Sequence, residues 1–363
     1  MSKILISGYY GFANAGDEAM LTAIIKALRS HDPKVALTVI SGHPQVTAVQ
    51  YKVNSLHRFN FWRIFRELDR CDLLLSGGGS LLQDVTSKRS LLYYLAVLGL
   101  GLFLKKKVML YAHGIGPINS RFLQRLTKSI CSHADLITVR DQDSLYELRR
   151  IGIPDSKVRL TADAVLTLPQ ESPEAGHRLL ENHGVECGKT LIAVSVRKWG
   201  EDDRYLLELA KAADALVERE HAHIVLLPLQ YPVDLEPCRR LQQFMVHSGQ
   251  STVLASAWNT EEFLSLMGNF DLLIGMRLHA LVFAAVMELP FVAVSYDPKI
   301  DGFVKETAGI SAGRVESLQA EGVIRAAQKA LDNSGGCQGK LDRLREKAML
   351  NARLAFDLMD TDK

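Results

Sequence analysis

Short runs rich in Val, Ile and Leu alternate with helix-length amphipathic stretches, and this alternation predicts an α/β protein of two Rossmann-like domains, each a parallel sheet covered on both faces. Two further observations agree. The chain has 363 residues, long for one compact core and suited to two domains of about 100 to 200 residues each. The pattern also pauses once, at Pro169–Pro173 (PQESP), and then restarts.

The first series of apolar runs is Ile4–Ser7, Ala36–Ile40, Leu73–Ser76, Val108–Ala112 and Leu136–Val139. The second is Leu191–Val196, Ile224–Leu229, Val253–Ala255, Leu272–Ile274 and Phe291–Ser295. Domains are accordingly expected over 1–170 and 171–335. After Asn333 the stretch SGGCQG reads as a flexible break. Leu341, Leu344, Ala348, Ala352, Ala355 and Met359 then recur at helical spacing, so a last helix over 340–363 is expected, packing back on the first domain by analogy with other two-lobed enzymes.

Apolar residues make up 47% and charged residues 23% of the chain, enough for a sizeable core. The net charge of +2 lacks the basic excess of a nucleic-acid binder, so any anion site must be local. Cys71, Cys131, Cys187, Cys238 and Cys337 are scattered, odd in number and without a CxxC pair, which favours reduced structural thiols over disulfides or a zinc cage. The opening MSKILISG enters a strand pattern at once and has no signal core, so a cytoplasmic protein is expected. The apolar run Leu91–Leu104, followed by Lys105–Lys107, is too short to span a bilayer, which takes about 20 helical residues. It reads either as a helix under a sheet or as a patch meeting the inner face of a membrane.

In open parallel sheets ligands bind beyond the carboxyl ends of strands, where helix N-termini offer unpaired amides. Informative residues do follow the predicted strands. After the first comes GYYGFANAGDE (Gly8–Glu18), a glycine-rich turn with Asn14 and Gly16, feeding a helix with Asp17 and Glu18 in its first turn. Asp17 reads as a helix N-cap, as a general base, or as both. The third strand runs into SGGGS, with Gly78 and Gly79, and the fourth into HGIGP, with His113 and Gly114. Each is either an ordinary tight turn or a place where a ligand approaches backbone amides. The triple glycine lacks the spacing of the dinucleotide fingerprint, which disfavours a nicotinamide enzyme. Gly184–Thr190 has too few residues between its glycines for a P-loop and precedes a strand, where a P-loop follows one.

Basic groups converge at the same strand ends. Arg140 ends the strand Leu136–Val139, Arg197 follows Leu191–Val196, Arg277 and His279 follow Leu272–Ile274, and Lys299 follows the last strand. Singly, such an Arg usually pairs with an Asp and such a His is usually a hydrogen-bonded core residue. Together they point to an interdomain cleft holding a small molecule with carboxylate and phosphate groups, which guanidinium groups bind through paired hydrogen bonds. No ligand cluster calls for a metal.

In this combination the chain resembles the polysaccharide pyruvyltransferase family, in particular its CsaB type. The likeness is carried by GYYGFANAGDEAML (Gly8–Leu21), SGGGSLLQD (Ser76–Asp84), HGIGP (His113–Pro117), TVRD (Thr138–Asp141), GMRLHA (Gly275–Ala280) and SYDPK (Ser295–Lys299). It implies a GT-B-type arrangement, no cofactor, and phosphoenolpyruvate as co-substrate. The implied acceptor is the ManNAc of a lipid-linked ManNAc-GlcNAc precursor, or a related nucleotide-linked amino sugar. A 4,6-ketal would form there, of the kind that anchors surface-layer proteins. By the same likeness Arg140, His279 and Lys299 contact the donor, with Arg277 beside them and Asp17 near the acceptor; Arg197 is added from its position alone. His279 is then the candidate proton donor and Asp17 the base toward the attacking hydroxyl. The alternatives are a nucleotide-sugar glycosyltransferase of the same fold, whose retaining members carry a glutamate pair not found near Arg277, and a non-catalytic sugar-binding relative.

Overall fold

A computed structural model of the protein describes residues 2–186, 188–307, 309–332 and 338–360. The expected thiols Cys187 and Cys337 and residues 334–337 of the expected break lie outside these residues, and the last two residues of that break, Gln338 and Gly339, instead open the final helix. In chain order the strands are β1 (Lys3–Ser7), β2 (Ala36–Ser41), β3 (Asn54–His57), β4 (Leu73–Leu82), β5 (Lys107–Ile115), β6 (Leu136–Val139), β7 (Val158–Leu160), β8 (Leu191–Ser195), β9 (His223–Leu226), β10 (Ser251–Val253), β11 (Leu272–Gly275), β12 (Phe291–Ser295) and β13 (Ile310–Arg314). Among the described residues, one sheet has the order β3-β2-β1-β4-β5-β6-β7 and the other β10-β9-β8-β11-β12-β13. All these pairings are parallel. Both orders are doubly wound, and the direction of winding reverses at β1/β4 and at β8/β11. The chain thus has the two Rossmann-like α/β domains that its apolar runs predict.

Contacts divide it into one unit of Met1–Phe12, Asp17–Leu168 and Arg343–Lys363, and a second of Ala13–Gly16 and Pro169–Asp342. In the first unit the sheet core is continuous aliphatic chain, because both faces are covered: Ile4, Ile6, Leu73–Leu75 and Val108–Leu110 are all buried. One local device recurs in both units. Asp72, Asp135 and Asp271, each just ahead of a strand, accept from a backbone N–H at the start of the neighbouring strand (Lys3, Val108 and Leu191) at 2.8 Å. Each aspartate also donates its own N–H back to that residue's carbonyl, at 2.9, 3.0 and 2.9 Å, which fixes the strand register.

β4 and β5 run well beyond their expected ends, through SGGGS and HGI. Gly77 and Gly78 are packing positions and not turns. A β-carbon on Gly77 would lie 2.3 Å from the Tyr10 hydroxyl oxygen, and one on Gly78 2.2 Å from Met20 Cγ. The helix Lys88–Phe103, capped by Ser87, buries Leu91, Tyr94, Leu95 and Leu98 of the apolar run against the sheet. No helix among the described residues is long and apolar enough to cross a membrane. The last helix, Gln338–Asp360, packs from Arg343 onward with the first unit. There the fully buried Asn351 accepts from Thr161 Oγ1 at 3.0 Å and donates to the Ala162 carbonyl at 3.4 Å. Cys71, Cys131 and Cys238 are buried free thiols. Burial pushes Cys71 up to about 11 and Cys131 up to about 12, so these sulfurs stay protonated and unreactive near neutral pH.

Candidate active site

In the first unit, side chains gather at the carboxyl-terminal ends of β1, β4, β5 and β6. The helix that follows β1 spans Ala15–His31. Its N-terminus is capped by Asn14, whose Oδ1 accepts from Gly16 N at 3.2 Å. Asp17 is therefore a first-turn residue and not the cap that its position suggests, and its carboxylate is turned toward the end of β4. A β-carbon on Gly79, which has a φ of +82°, would come within 2.9 Å of Asp17 Oδ1. Glu18 is occupied structurally, accepting from Gly11 N at 2.7 Å and from the Tyr51 hydroxyl at 2.8 Å. Burial raises its pKa against those bonds.

Arg140 follows β6 and is almost wholly buried. Its Nη1 donates to Asp163 Oδ2 at 2.7 Å, its Nη2 to Ser80 Oγ at 3.3 Å, and its Nε lies 3.5 Å from Asp141 Oδ2. Burial alone would lower its pKa, but Asp163 and Asp141, with Asp17 a smaller contributor, carry it above the ordinary arginine value. The guanidinium is permanently charged. Gly114 is required here, because a β-carbon would lie 2.8 Å from Ser80 Oγ and 3.0 Å from Arg140 Nη2. Three carboxylates, those of Asp17, Asp141 and Asp163, thus surround one arginine, and the cluster is net acidic where the sequence led us to expect an anion site.

Two residues expected in ligand loops are committed elsewhere. His113 is fully buried within β5, its Nε2 3.1 Å from Ser76 Oγ and 3.0 Å from the Ser76 carbonyl, so it braces β5 against β4. Gly78 makes room for Met20, as described above.

The second unit supplies the basic site. Arg277 stands two residues beyond β11 at the start of the helix Leu278–Val286. Its Nε donates to Asp234 Oδ2 at 2.9 Å, its Nη2 to Asp234 Oδ1 and, at 3.2 Å, to Gln230 Oε1. Asp234 is fully buried and also accepts from Gln230 N at 2.9 Å. These bonds set the plane of the guanidinium, and Nη1 takes part in none of them. The segment Ala13–Gly16 belongs to this unit: Asn14 bridges to Gln230, and Ala15 N donates to the Leu229 carbonyl at 3.1 Å. The His279 imidazole lies against Gly16, where a β-carbon would be 2.2 Å from Nδ1 and 2.5 Å from Cγ. Arg197, two residues past β8, donates from Nη1 to the Tyr296 hydroxyl at 2.8 Å, and its guanidinium sits 4.8 Å over the Tyr296 ring. Lys299, buried at the start of the helix Pro298–Thr307, is positioned by its own N–H donating to Asp297 Oδ1 at 3.0 Å. Arg197, Arg277 with His279, and Lys299 thus follow three adjacent strands, β8, β11 and β12.

The model of the family described as polysaccharide pyruvyl transferase matches residues 14–298. The chain belongs to that family. It is similar, at 22% identity over 98% of this chain and 99% of the relative, to the amylovoran biosynthesis protein AmsJ of Erwinia amylovora. Among solved structures it is similar to a UDP-GlcNAc 2-epimerase from Methanocaldococcus jannaschii (TM-score 0.71, 12% identity, 98% of this chain and 100% of that one). Anabaena Alr3699/HepE in complex with UDP-glucose is also similar (TM-score 0.66, 12% identity, 100% and 99%). These two likenesses show the fold, which is of the GT-B kind. The pyruvyltransferase family match encloses Asn14, Asp17, Arg140, Arg197, Arg277 and His279, and it stops one residue short of Lys299.

Asp163 and Asp234 were not singled out from the sequence. Both lie far along the chain from the arginines they orient, 23 and 43 residues away, and neither sits in a motif. Among the described residues no group of three or more His, Cys, Asp and Glu side chains is arranged to hold a metal ion.

Proposed function

We propose that this pyruvyltransferase takes the pyruvyl unit of phosphoenolpyruvate and closes it as a ketal across two hydroxyls of a polysaccharide-precursor sugar, releasing phosphate. The observation that carries this reading is the family match over residues 14–298, because it contains all but one of the basic groups beyond β8, β11 and β12. Arg197, Arg277 and Lys299 bind the donor's carboxylate and phosphate, and Nη1 of Arg277 is already aimed by Asp234. Asp17 and its acidic neighbours suit the neutral, hydroxyl-bearing acceptor better than an anion. Arg140 then acts near Asp17, its charge largely matched by Asp163.

Protonation of the donor's methylene carbon turns it into a methyl group and leaves positive charge on the carbon bearing phosphate, to which one sugar hydroxyl adds. Asp17 takes the proton of that hydroxyl. Phosphate departs with its bonding electron pair, and the second hydroxyl closes the ring, its proton leaving with phosphate. In this reading His279 donates a proton or steadies the departing phosphate, imidazole being the side chain type suited to proton transfer near neutral pH. Cationic groups fixed beforehand stabilise that charge without reorganising.

For the acceptor we propose the amino sugar of a lipid-linked or nucleotide-linked precursor, ManNAc of a ManNAc-GlcNAc disaccharide closed as a 4,6-ketal, as in the CsaB type. The relative named for amylovoran biosynthesis supports a second acceptor, a precursor of amylovoran or of a similar polysaccharide. Incubation with phosphoenolpyruvate and a panel of both acceptor kinds, read by mass spectrometry for an added pyruvyl group, separates them. Release of UDP from UDP-sugars, with no phosphate released from phosphoenolpyruvate, would overturn the donor assignment.

A further inference from the structure

We propose that the face formed by Phe59, Phe61, Trp62, Arg63 and Arg66 docks the protein on an anionic phospholipid bilayer. The helix Phe61–Arg70, capped by Asn60 accepting from Arg63 N at 3.2 Å, buries only Ile64 and Leu68. It leaves Phe61 62%, Trp62 63% and the preceding Phe59 56% exposed, three large apolar rings within four residues. They are held outward by contacts with one another's neighbours. Trp62 stacks on Phe65 with centroids 6.1 Å apart, the Arg66 guanidinium lies 5.0 Å over Trp62, and Arg58 lies 4.5 Å over Phe59.

Charge selects the occupant. From Arg58 to Arg70 the sequence carries four arginines against the two carboxylates of Glu67 and Asp69, a local positive excess in a chain that is nearly neutral. A short amphipathic helix with aromatic rings among arginines is the make-up of a segment that lies in the interface of an anionic membrane. The apolar run Leu91–Leu104, the sequence's own candidate for membrane contact, buries Leu91, Leu95 and Leu98 against the sheet, so the contact moves to this neighbouring helix. At the helix's far end Lys106 Nζ donates to the Asp69 carbonyl at 2.6 Å, tying in the turn that follows exposed Phe103.

The test is co-sedimentation of the full chain with phosphatidylglycerol-containing vesicles and with pure phosphatidylcholine vesicles, and it reads no turnover, so it stands apart from the pyruvyl-transfer reading. Expected is binding to the anionic vesicles alone, released at high salt. Arg63→Glu with Arg66→Glu should weaken that binding at least about thirty-fold, two basic side chains contributing about 1 kcal/mol each. Phe61→Ser with Trp62→Ser should abolish it with an unchanged circular dichroism spectrum. Wild-type protein indifferent to anionic vesicles, or variants that bind them equally well, would overturn the proposal. So would a Trp62→Ser variant that dissolves a dimer while keeping vesicle affinity, since the face would then be a contact between copies of this chain.

Discussion

Gly16→Ala is the smallest perturbation that reaches the basic site. The added β-carbon would stand 2.2 Å from His279 Nδ1, 2.5 Å from Cγ and 2.9 Å from Cβ, whereas ordinary contact begins at 3.4 Å. The overlap reaches the root of the imidazole, so a ring flip cannot relieve it, and the ring or the start of the helix Ala15–His31 must move by more than an ångström. A displacement of about 1 Å in a catalytic group costs on the order of a hundredfold in rate. The backbone effect runs the other way, because Ala in place of Gly within a helix is worth up to about 1 kcal/mol. Expected is therefore a fall of about a hundredfold in phosphate release from phosphoenolpyruvate with acceptor present, with a melting temperature close to wild type. Gly249→Ala, where an added β-carbon meets nothing within 4 Å, is the control and should leave both readings unchanged. Full activity in Gly16→Ala would refute the placement of His279 in the chemistry.

Asp163→Ala leaves the Arg140 guanidinium buried without its closest partner; unfolding by denaturant should show a loss of about 3 to 5 kcal/mol, and wild-type stability would mean that Asp141 alone suffices. Arg277→Lys cannot repeat the paired bonds to Asp234, so kcat/KM for phosphoenolpyruvate should fall at least about tenfold with an intact circular dichroism spectrum, an unchanged value counting against Arg277 as a donor contact. Asp84 accepts from Asn119 N at 2.8 Å and Ser120 N at 2.7 Å, and although burial pushes its pKa up, those bonds and Lys88 hold it below the ordinary aspartate value. Its contribution is therefore present above the unfolded-state value of about 3.9 and is lost as pH falls through the lower folded value. Asp84→Asn should be less stable than wild type by about 1 to 3 kcal/mol at neutral pH, and the gap should close in acid; a gap that persists in acid would assign the effect to packing.

The strand cores were legible because a sheet buried on both faces needs uninterrupted aliphatic chain, and Leu136–Val139 and Phe291–Ser295 coincide with β6 and β12. The edge strands β3, β7 and β13 were not, since NSLH, VRL and ISAGR are short and polar. The glycines of SGGGS misled in a physical way. Gly77 and Gly78 look like turn residues, yet they are small because Tyr10 and Met20 occupy the space where their side chains would be, a constraint that local sequence does not display. The same holds for the site. That Arg140, Arg197, Arg277 and Lys299 follow strands could be read directly, but which carboxylate neutralises each could not. Asp163 and Asp234 come from remote segments: Asp163, with Asp141 and Asp17, turns the surroundings of Arg140 acidic, whereas Asp234 pairs with Arg277. Nor does local pattern reveal that Ala13–Gly16 packs on Leu229 and Gln230.

The most direct test of the chemistry assigned to His279 is a paired measurement on wild type and His279→Ala: phosphoenolpyruvate binding by calorimetry, and phosphate release with a sugar acceptor present. Expected is binding within a few-fold of wild type, because Arg197, Arg277 and Lys299 remain, with turnover lower by about a hundredfold or more. A His279→Ala enzyme that turns over at the wild-type rate, or a wild-type protein that neither binds phosphoenolpyruvate nor releases phosphate from it, would contradict the account.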